Sequence, residues 1–168
     1  MTNYIKLLIL TIVLITGLSA CKAKSQADTD QVYSVESDSA QTVGSDGWLT
    51  DYQQALKTAQ ESNKTILVNF TGSDWCIWCK RLSKEVFTQK PFIDYAKANF
   101  VLLKLDFPKN SKQTDVEKKQ NDTLQKQFNI EGFPTVVLLD KTGKEIGRGG
   151  YQEGGPEKYI EYLKTLKK

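Results

Sequence analysis

Residues 66–82 read ILVNFTGSDWCIWCKRL. An apolar run, Ile66-Leu67-Val68, leads through Asn69 and Phe70 into a short turn-forming segment, Thr71-Gly72-Ser73-Asp74. Trp75 and the pair Cys76-x-x-Cys79 follow, and then a basic segment with helical character. A disulfide needs Cα atoms about 4.4–6.8 Å apart, and residues i and i+3 of a helix lie side by side within that reach. Strand, turn and two thiols at the start of a helix is a redox arrangement.

The chain has 168 residues, enough for one ordinary domain with extras. Its net charge of +3 and its 26% charged residues are near average, and the basic residues form no stripe. No nucleic-acid partner is expected. There is no histidine, which removes histidine acid/base catalysis, Ser–His and Cys–His pairs and imidazole metal sites. The three cysteines are Cys21, Cys76 and Cys79, an odd count that calls for an explanation in an exported chain. With Cys21 assigned to lipid by its sequence context, the two remaining thiolates fall short of the tetrahedral set that zinc takes. The expectation is therefore no metal and no cofactor beyond a redox-active Cys76–Cys79 disulfide.

Residues 4–15, YIKLLILTIVLI, place Lys6 ahead of an apolar run from Leu7 to Ile15. The run is too short for a comfortable permanent span, which takes about 20 apolar residues, and fits the apolar core of a signal peptide. It ends in Leu18-Ser19-Ala20-Cys21, which resembles the bacterial lipobox. That resemblance implies cleavage before Cys21, lipidation of Cys21, and a stable membrane anchor if more than one acyl chain is attached. Lys22 stands where many inner-membrane lipoproteins of Gram-negative bacteria resemble one another in having Asp, which favours the outer membrane. The alternative is an ordinary signal peptide with a chance cysteine.

Three segments are expected: a lipoprotein signal peptide at 1–20, a lipidated flexible tether at 21–46 and a folded domain at 47–168. The tether is rich in Ser, Asp, Gln, Thr and Ala and poor in large apolar residues, so it cannot offset its ordering entropy by burial. As a random coil it would span roughly 25–30 Å. Alternatively, Val32-Tyr33-Ser34-Val35 pairs as a short edge strand.

Within the domain, helical spacing predicts a helix over 51–63, with Tyr52, Ala55, Leu56 and Ala59 on one face. A strand buried on both faces is expected at 65–70, a helix at 76–87 with Leu82, Val86 and Phe87 inward, and a helix with Pro91 in its first turn, ending near Asn99. FVLLKL at 100–105 is a second buried-type strand, and 106–115 a polar loop. A charged helix at 116–128 carries Leu124 and Phe128, and TVVLL at 135–139 is a third strand. Asp140-Lys141-Thr142-Gly143 has turn chemistry. It joins a strand at 144–148, broken by Gly149-Gly150, and a closing helix at 156–166 carries Tyr159, Ile160, Leu163 and Leu166 on one face. The order α-β-α-(α)-β-α-β-β-α predicts an α/β domain, with a mixed central sheet of about four strands flanked by helices.

Trp75-Cys76-Ile77-Trp78-Cys79-Lys80 resembles the active site of thioredoxin-fold proteins. Gly132-Phe133-Pro134-Thr135, just before a strand, resembles that family's cis-proline segment, and Lys104-Leu105-Asp106 matches a further family pattern. The resemblance covers roughly residues 48–166 and is similar to exported thioredoxin-like lipoproteins and to the periplasmic domains of membrane thiol:disulfide interchange proteins. It implies a thioredoxin-like fold. It also implies that Phe133 and Pro134 help bind a substrate strand, and that Trp75 and Trp78 line the groove. For the aromatic residues the alternative is plain core packing.

At a helix start, unpaired N–H groups and the positive dipole end stabilise a thiolate. Cys76 is thus the expected nucleophile, and Cys79, one turn in and less exposed, the resolving thiol. Lys80 and Arg81 would reinforce the anion if turned inward, and Asp74 would oppose it. Two departures from the family stand out. Asn69 replaces a buried Asp that assists proton transfer in thioredoxins, which leaves Lys104 or water to manage the proton. Ile77-Trp78 replaces Gly-Pro.

The leading expectation is a membrane-tethered thiol–disulfide oxidoreductase of the bacterial envelope, facing the periplasm. It would be monomeric, reduce disulfides of exported proteins and be recharged by a separate electron donor. The alternatives are a disulfide oxidase or isomerase, or a non-catalytic binding or chaperone lipoprotein.

Overall fold

In the computed structural model, Asp51 starts the first helix: its carboxylate accepts the Gln54 amide at 2.6 Å and caps α1, Tyr52–Ser62. Asn63 ends it in left-handed conformation, φ 53°, which the short amide side chain tolerates. The structure describes residue 44 and residues 46–167. The expected signal peptide, the lipidation site Cys21, the Val32–Val35 pairing and all of the tether but residues 44 and 46 lie outside the described residues.

The remaining elements follow as β1 (Thr65–Thr71), α2 (Ile77–Leu82), α3 (Lys90–Asn99), β2 (Phe100–Asp106), α4 (Asp115–Gln127), β3 (Thr135–Leu139), β4 (Glu145–Gly149) and α5 (Gly155–Leu166). The four strands form one sheet in the order β2-β1-β3-β4. β1 pairs in parallel with β2, from Thr65↔Phe100 to Thr71↔Asp106, and antiparallel with β3. β3 and β4 close the sheet as an antiparallel pair. This is the mixed four-stranded sheet expected from the element order.

β1 shows why both of its faces had to be apolar. Ile66, Val68 and Phe70 point into one core with Ala55 and Ala59 of α1 and Leu124 of α4. Leu67 points into the other, with Leu82, Phe92, Tyr159 and Leu163. Alternation along a strand sends successive side chains to opposite faces. All four β1 residues are essentially inaccessible, each burial favouring the fold by about 1.5–3 kcal/mol. Leu49 extends the domain past the strand edge: its N–H bonds Leu102 O at 2.9 Å and its carbonyl accepts the Lys104 N–H at 2.9 Å.

Several boundaries differ from the expectation. The helix expected over 76–87 is α2 followed by a π-helical turn, Ser83–Phe87. The wider turn lets Phe87 join Leu82 and Val86 in the core, where it packs on Trp48 and Phe92 at 5.1 and 4.9 Å. β4 runs to Gly149, which pairs with Val136 rather than breaking the strand. Gly147 and Gly149 lie against α5, where a Cβ would collide with Leu166 and the Tyr162 ring. They are glycines for close approach. The polar loop is shorter than 106–115, since Asp106 ends β2 and Asp115 starts α4 behind its Thr114 cap.

Candidate active site

The turn 72–75 delivers the two cysteines. Gly72 O accepts the amides of Trp75 at 3.2 Å and Cys76 at 2.8 Å. Gly72 has to be glycine, because a Cβ there would overlap the Trp75 indole. Cys76 is the extended N-cap of α2 and is bonded to Cys79 with their Cα atoms 5.2 Å apart. Its sulfur accepts the Cys79 amide at 3.2 Å. That amide is one of the orphan donors of the helix start, and a thiolate would profit from it more than a neutral sulfur. Both cysteines are buried, Cys76 at 6% exposure and Cys79 at 4%. The expected order holds by a narrow margin, so position on the helix distinguishes them better than exposure.

The second half of the site comes from the start of β3. The Phe133–Pro134 peptide is cis, and the Phe133 carbonyl lies 3.6 Å from the Cys76 sulfur. Proline contributes no N–H beside the sulfur, so the Phe133 backbone is the polar group presented there. Trp75 and Trp78 are 39% and 48% exposed and Ile77 is 70% exposed, so the three form an apolar rim rather than core. Phe133 is partly buried against the core.

The two tryptophans are held in different ways. Trp75 Nε1 donates to Phe107 O at 2.8 Å, and its ring meets Phe133 edge-on at 6.0 Å. Phe107 stacks on Phe133 at 4.9 Å. The Asp74 carboxylate accepts backbone N–H groups of Lys109, Asn110 and Ser111, at 3.0, 2.7 and 3.1 Å. These bonds, from Lys109 first and then Asn110, hold its carboxyl below the ordinary carboxylate range. Ser73 N and Oγ both donate to Asp106. Turn and loop 107–114 are therefore one hydrogen-bonded unit.

Trp78 packs on Tyr151 at 5.5 Å, with the Arg81 guanidinium 5.5 Å from the Trp78 ring and 5.8 Å from the Tyr151 ring. Arg81 pairs with Glu85 at 2.9 Å. Tyr151 donates its hydroxyl to Glu85. That bond, ahead of Arg81, lowers the Glu85 carboxyl, and the same bond raises the Tyr151 hydroxyl.

The expected electrostatic helpers are employed elsewhere. Lys80 Nζ donates to Asp74 O at 2.8 Å, and Arg81 serves Glu85. Asp74, expected to oppose the Cys76 anion, is committed to the loop. The loop-binding role of Asp74 and the contacts of Phe107 and Tyr151 are not legible in the sequence. A lone Asp in a polar turn and two scattered aromatics carry no spacing signal.

Behind the disulfide lies a cavity of about 570 Å³ lined by Asp46, Trp48, Asn69, Thr71, Cys79 and Lys104 among others. Asn69 and Lys104 face each other across the β1–β2 register. Asn69 is 7% exposed, and its Oδ1 is buried without a hydrogen-bond partner among the described residues. Lys104 Nζ reaches Asp46 Oδ2 at 3.4 Å. Lys104, the proton-transfer candidate, is thus on the Cys79 side of the site. Among the described residues no group of three or more Cys, Asp or Glu is arranged to hold a metal, and no helix is long and apolar enough to cross a membrane.

Comparison with known proteins places this geometry. The thioredoxin-like domain family matches residues 52–167. Disulfide bond reductase DsbH of Chlamydia pneumoniae is 28% identical over 155 residues, covering 92% of this chain and 91% of that protein. Thiol:disulfide interchange protein DsbD of Actinobacillus pleuropneumoniae is 36% identical over 121 residues, 70% of this chain but 18% of that protein. The chain thus corresponds to a small part of DsbD. Among solved structures, a DsbH oxidoreductase superposes with TM-score 0.68 at 28% identity, covering 84% of this chain and 93% of the other. A thioredoxin from Thermus thermophilus shares the fold at TM-score 0.51 and 20% identity, covering 68% and 82%.

Proposed function

The chain belongs to the thioredoxin-like domain family and is a thiol–disulfide oxidoreductase, and we propose that it works as a reductase of disulfides in exported proteins. The observation that carries this reading is the Cys76 sulfur. It caps α2, takes the Cys79 amide at 3.2 Å and faces the Phe133 carbonyl between two exposed tryptophans. The likeness to a disulfide bond reductase over nine-tenths of both chains supports the direction.

In the dithiol form, the Cys76 thiolate attacks one sulfur of a substrate disulfide. The substrate S–S bond breaks, a Cys76–substrate bond forms, and the other substrate sulfur leaves as a thiolate. Cys79 then loses its proton and attacks Cys76. The Cys76–Cys79 disulfide forms, and the second substrate sulfur departs and takes up a proton. The substrate gains two electrons and the enzyme loses two, so a separate dithiol donor must recharge it. Trp75, Trp78, Phe133 and Pro134 hold the substrate segment. Asn69 is an amide and cannot accept the Cys79 proton. Water in the rear cavity carries it outward past Lys104, whose ammonium favours the developing thiolate.

The chain acts as a monomer at the periplasmic face of a bacterial envelope, tethered through lipid on Cys21. Lys22 favours the outer membrane. Mass analysis of the N-terminal peptide of the mature protein for acyl chains tests the anchor, and membrane fractionation tests the location.

Redox titration of the Cys76–Cys79 pair against glutathione, with insulin-type disulfide reduction by the dithiol form, tests the function. A reducing potential and turnover that disappears in Cys76→Ser are expected. A strongly oxidising potential would point to an oxidase or isomerase instead. Client binding that persists in Cys76→Ser, with no turnover in the parent, would favour the non-catalytic reading.

A further inference from the structure

Resting on the reductase reading, we propose that Lys109 is a specificity-determining residue that selects substrate segments carrying a carboxylate beside the reactive cysteine. Its ammonium lies 4.2 Å from the Trp75 ring centre, at the edge of the groove over the disulfide. Its backbone is fixed there, since its N–H and those of the next two residues bond the Asp74 carboxylate. The loop is also joined to both halves of the site, through Trp75 Nε1 to Phe107 O and through the Phe107–Phe133 stack. An exposed lysine ordinarily sweeps a wide volume, whereas this one is held at both ends.

The surrounding charges are unevenly spent. On the Trp75 side the carboxylates are engaged within the chain, Asp74 by loop amides and Asp106 by Ser73 and the Phe107 amide. Lys109 forms no ion pair among the described residues. On the Trp78 side, Arg81 is paired with Glu85, and the negative charge of Glu153 also reaches Arg81 and Tyr151. At the Trp75 end the groove therefore presents an ammonium without an ion pair among the described residues, and at the Trp78 end a guanidinium already paired with Glu85. A carboxylate at the Trp75 end meets an ammonium that neither Asp74 nor Asp106 pairs with, since their oxygens are turned to amides and to Ser73. A lysine or arginine there meets a like charge across an apolar surface, where screening is weaker than in bulk water. The occupant is an extended, disulfide-linked polypeptide segment with Asp or Glu within a few residues of its cysteine.

The test uses three disulfide-linked peptides that differ only in carrying Asp, Asn or Lys on each side of the cysteine. Each is reduced by the parent, Lys109→Gln and Lys109→Glu at low and raised salt. In the parent, kcat/KM should fall in the order Asp, Asn, Lys by about threefold per step, the scale of a rim charge pair. Lys109→Gln should flatten the order, Lys109→Glu should invert it, and salt should compress it. Flattening in Lys109→Gln, with reduction of the Asn peptide unchanged, is a readout that a merely structural lysine could not produce. A parent that reduces the Asn peptide with no ranking by charge, or a ranking unchanged in Lys109→Gln, overturns the inference and leaves the reductase reading standing. A parent that reduces none of the three overturns both.

Discussion

The disulfide has a front and a back, and the two are built on different terms. In front, the groups that shape the groove are bonded to one another: the Cys79 amide bonds Cys76, Trp75 bonds Phe107, and Asp74 bonds three loop amides. Behind, among the described residues, Asn69 Oδ1 is buried with no partner, and Lys104 pairs with Asp46 at 3.4 Å. An unsatisfied buried amide oxygen costs about 1–3 kcal/mol. The front is therefore a rigid platform for a peptide segment. The back is an incompletely satisfied cavity, where water can do what a carboxylate would do more directly.

The largest effect should come from separating the two thiols. Cys76→Ser removes the front nucleophile and should take disulfide reduction to background. Cys79→Ala removes only the rear thiol, and should arrest the enzyme as a covalent complex with its substrate, visible on a non-reducing gel. Equal loss without trapping would mean that the two sulfurs share one role.

Next is the back. Asn69→Asp places a carboxylate where no base now stands. Burial should raise its pKa, with Lys104 pulling it back down. Resolution of the mixed disulfide should quicken, approaching about a hundredfold, the low end of general-base contributions. Stopped-flow tryptophan fluorescence of the Cys79-dependent step would measure it. With burial the larger of the two effects, its folded-state pKa is expected above the unfolded value, and the variant should bind more protons when folded. Its stability should fall as pH rises through that interval and recover in acid. An unchanged resolution rate would mean that proton loss at Cys79 is not limiting.

A smaller effect is expected at the Asp74 latch. Asp74→Ala frees the amides of Lys109, Asn110 and Ser111, and should shift Trp75 fluorescence and lower kcat/KM severalfold while leaving the Cys79 step alone. In the parent the folded carboxyl pKa is depressed. The latch is therefore fully present above the ordinary carboxylate range, and is lost as pH falls through the depressed value. An acid-side change in Trp75 emission that is absent in the variant would confirm that order.

The smallest effect belongs to Tyr151→Phe, which deletes one bond to Glu85 and leaves the ring against Trp78. Turnover should stay within about twofold, since Arg81 still holds Glu85 and exposed pairs contribute little. A drop as large as that of Asp74→Ala would make the Trp78 side as much a part of the platform as the Trp75 side.

How much was legible can be seen residue by residue. β3 lies at 135–139 as expected, and both faces of β1 are buried as its unbroken apolar run demanded. The faces of α1 and α5 follow the helical period, with Ala55, Ala59, Tyr159 and Leu163 inaccessible. Cys76 at a helix start is legible from its immediate neighbours, and Pro134 from the resemblance of 132–135 to the family's proline segment. The π-helical turn leaves no mark in residue spacing. Gly149 reads as a breaker in the sequence because glycine marks a break and a close approach alike.

Sequence by itself determined the elements, their buried faces and the placement of two thiols in the first turn of a helix. These are local properties, encoded in periods of two and 3.6 residues and in capping chemistry. Only the tertiary structure decided what those thiols face. The Phe133 carbonyl reaches Cys76 across 57 residues, and sheet register sets Lys104 opposite Asn69. Asp74 looked like an electrostatic burden and is a latch, because the loop that comes over it brings three unpaired amides. Such long-range pairings depend on how separate faces are buried against one another, and no local pattern specifies which distant residue will arrive.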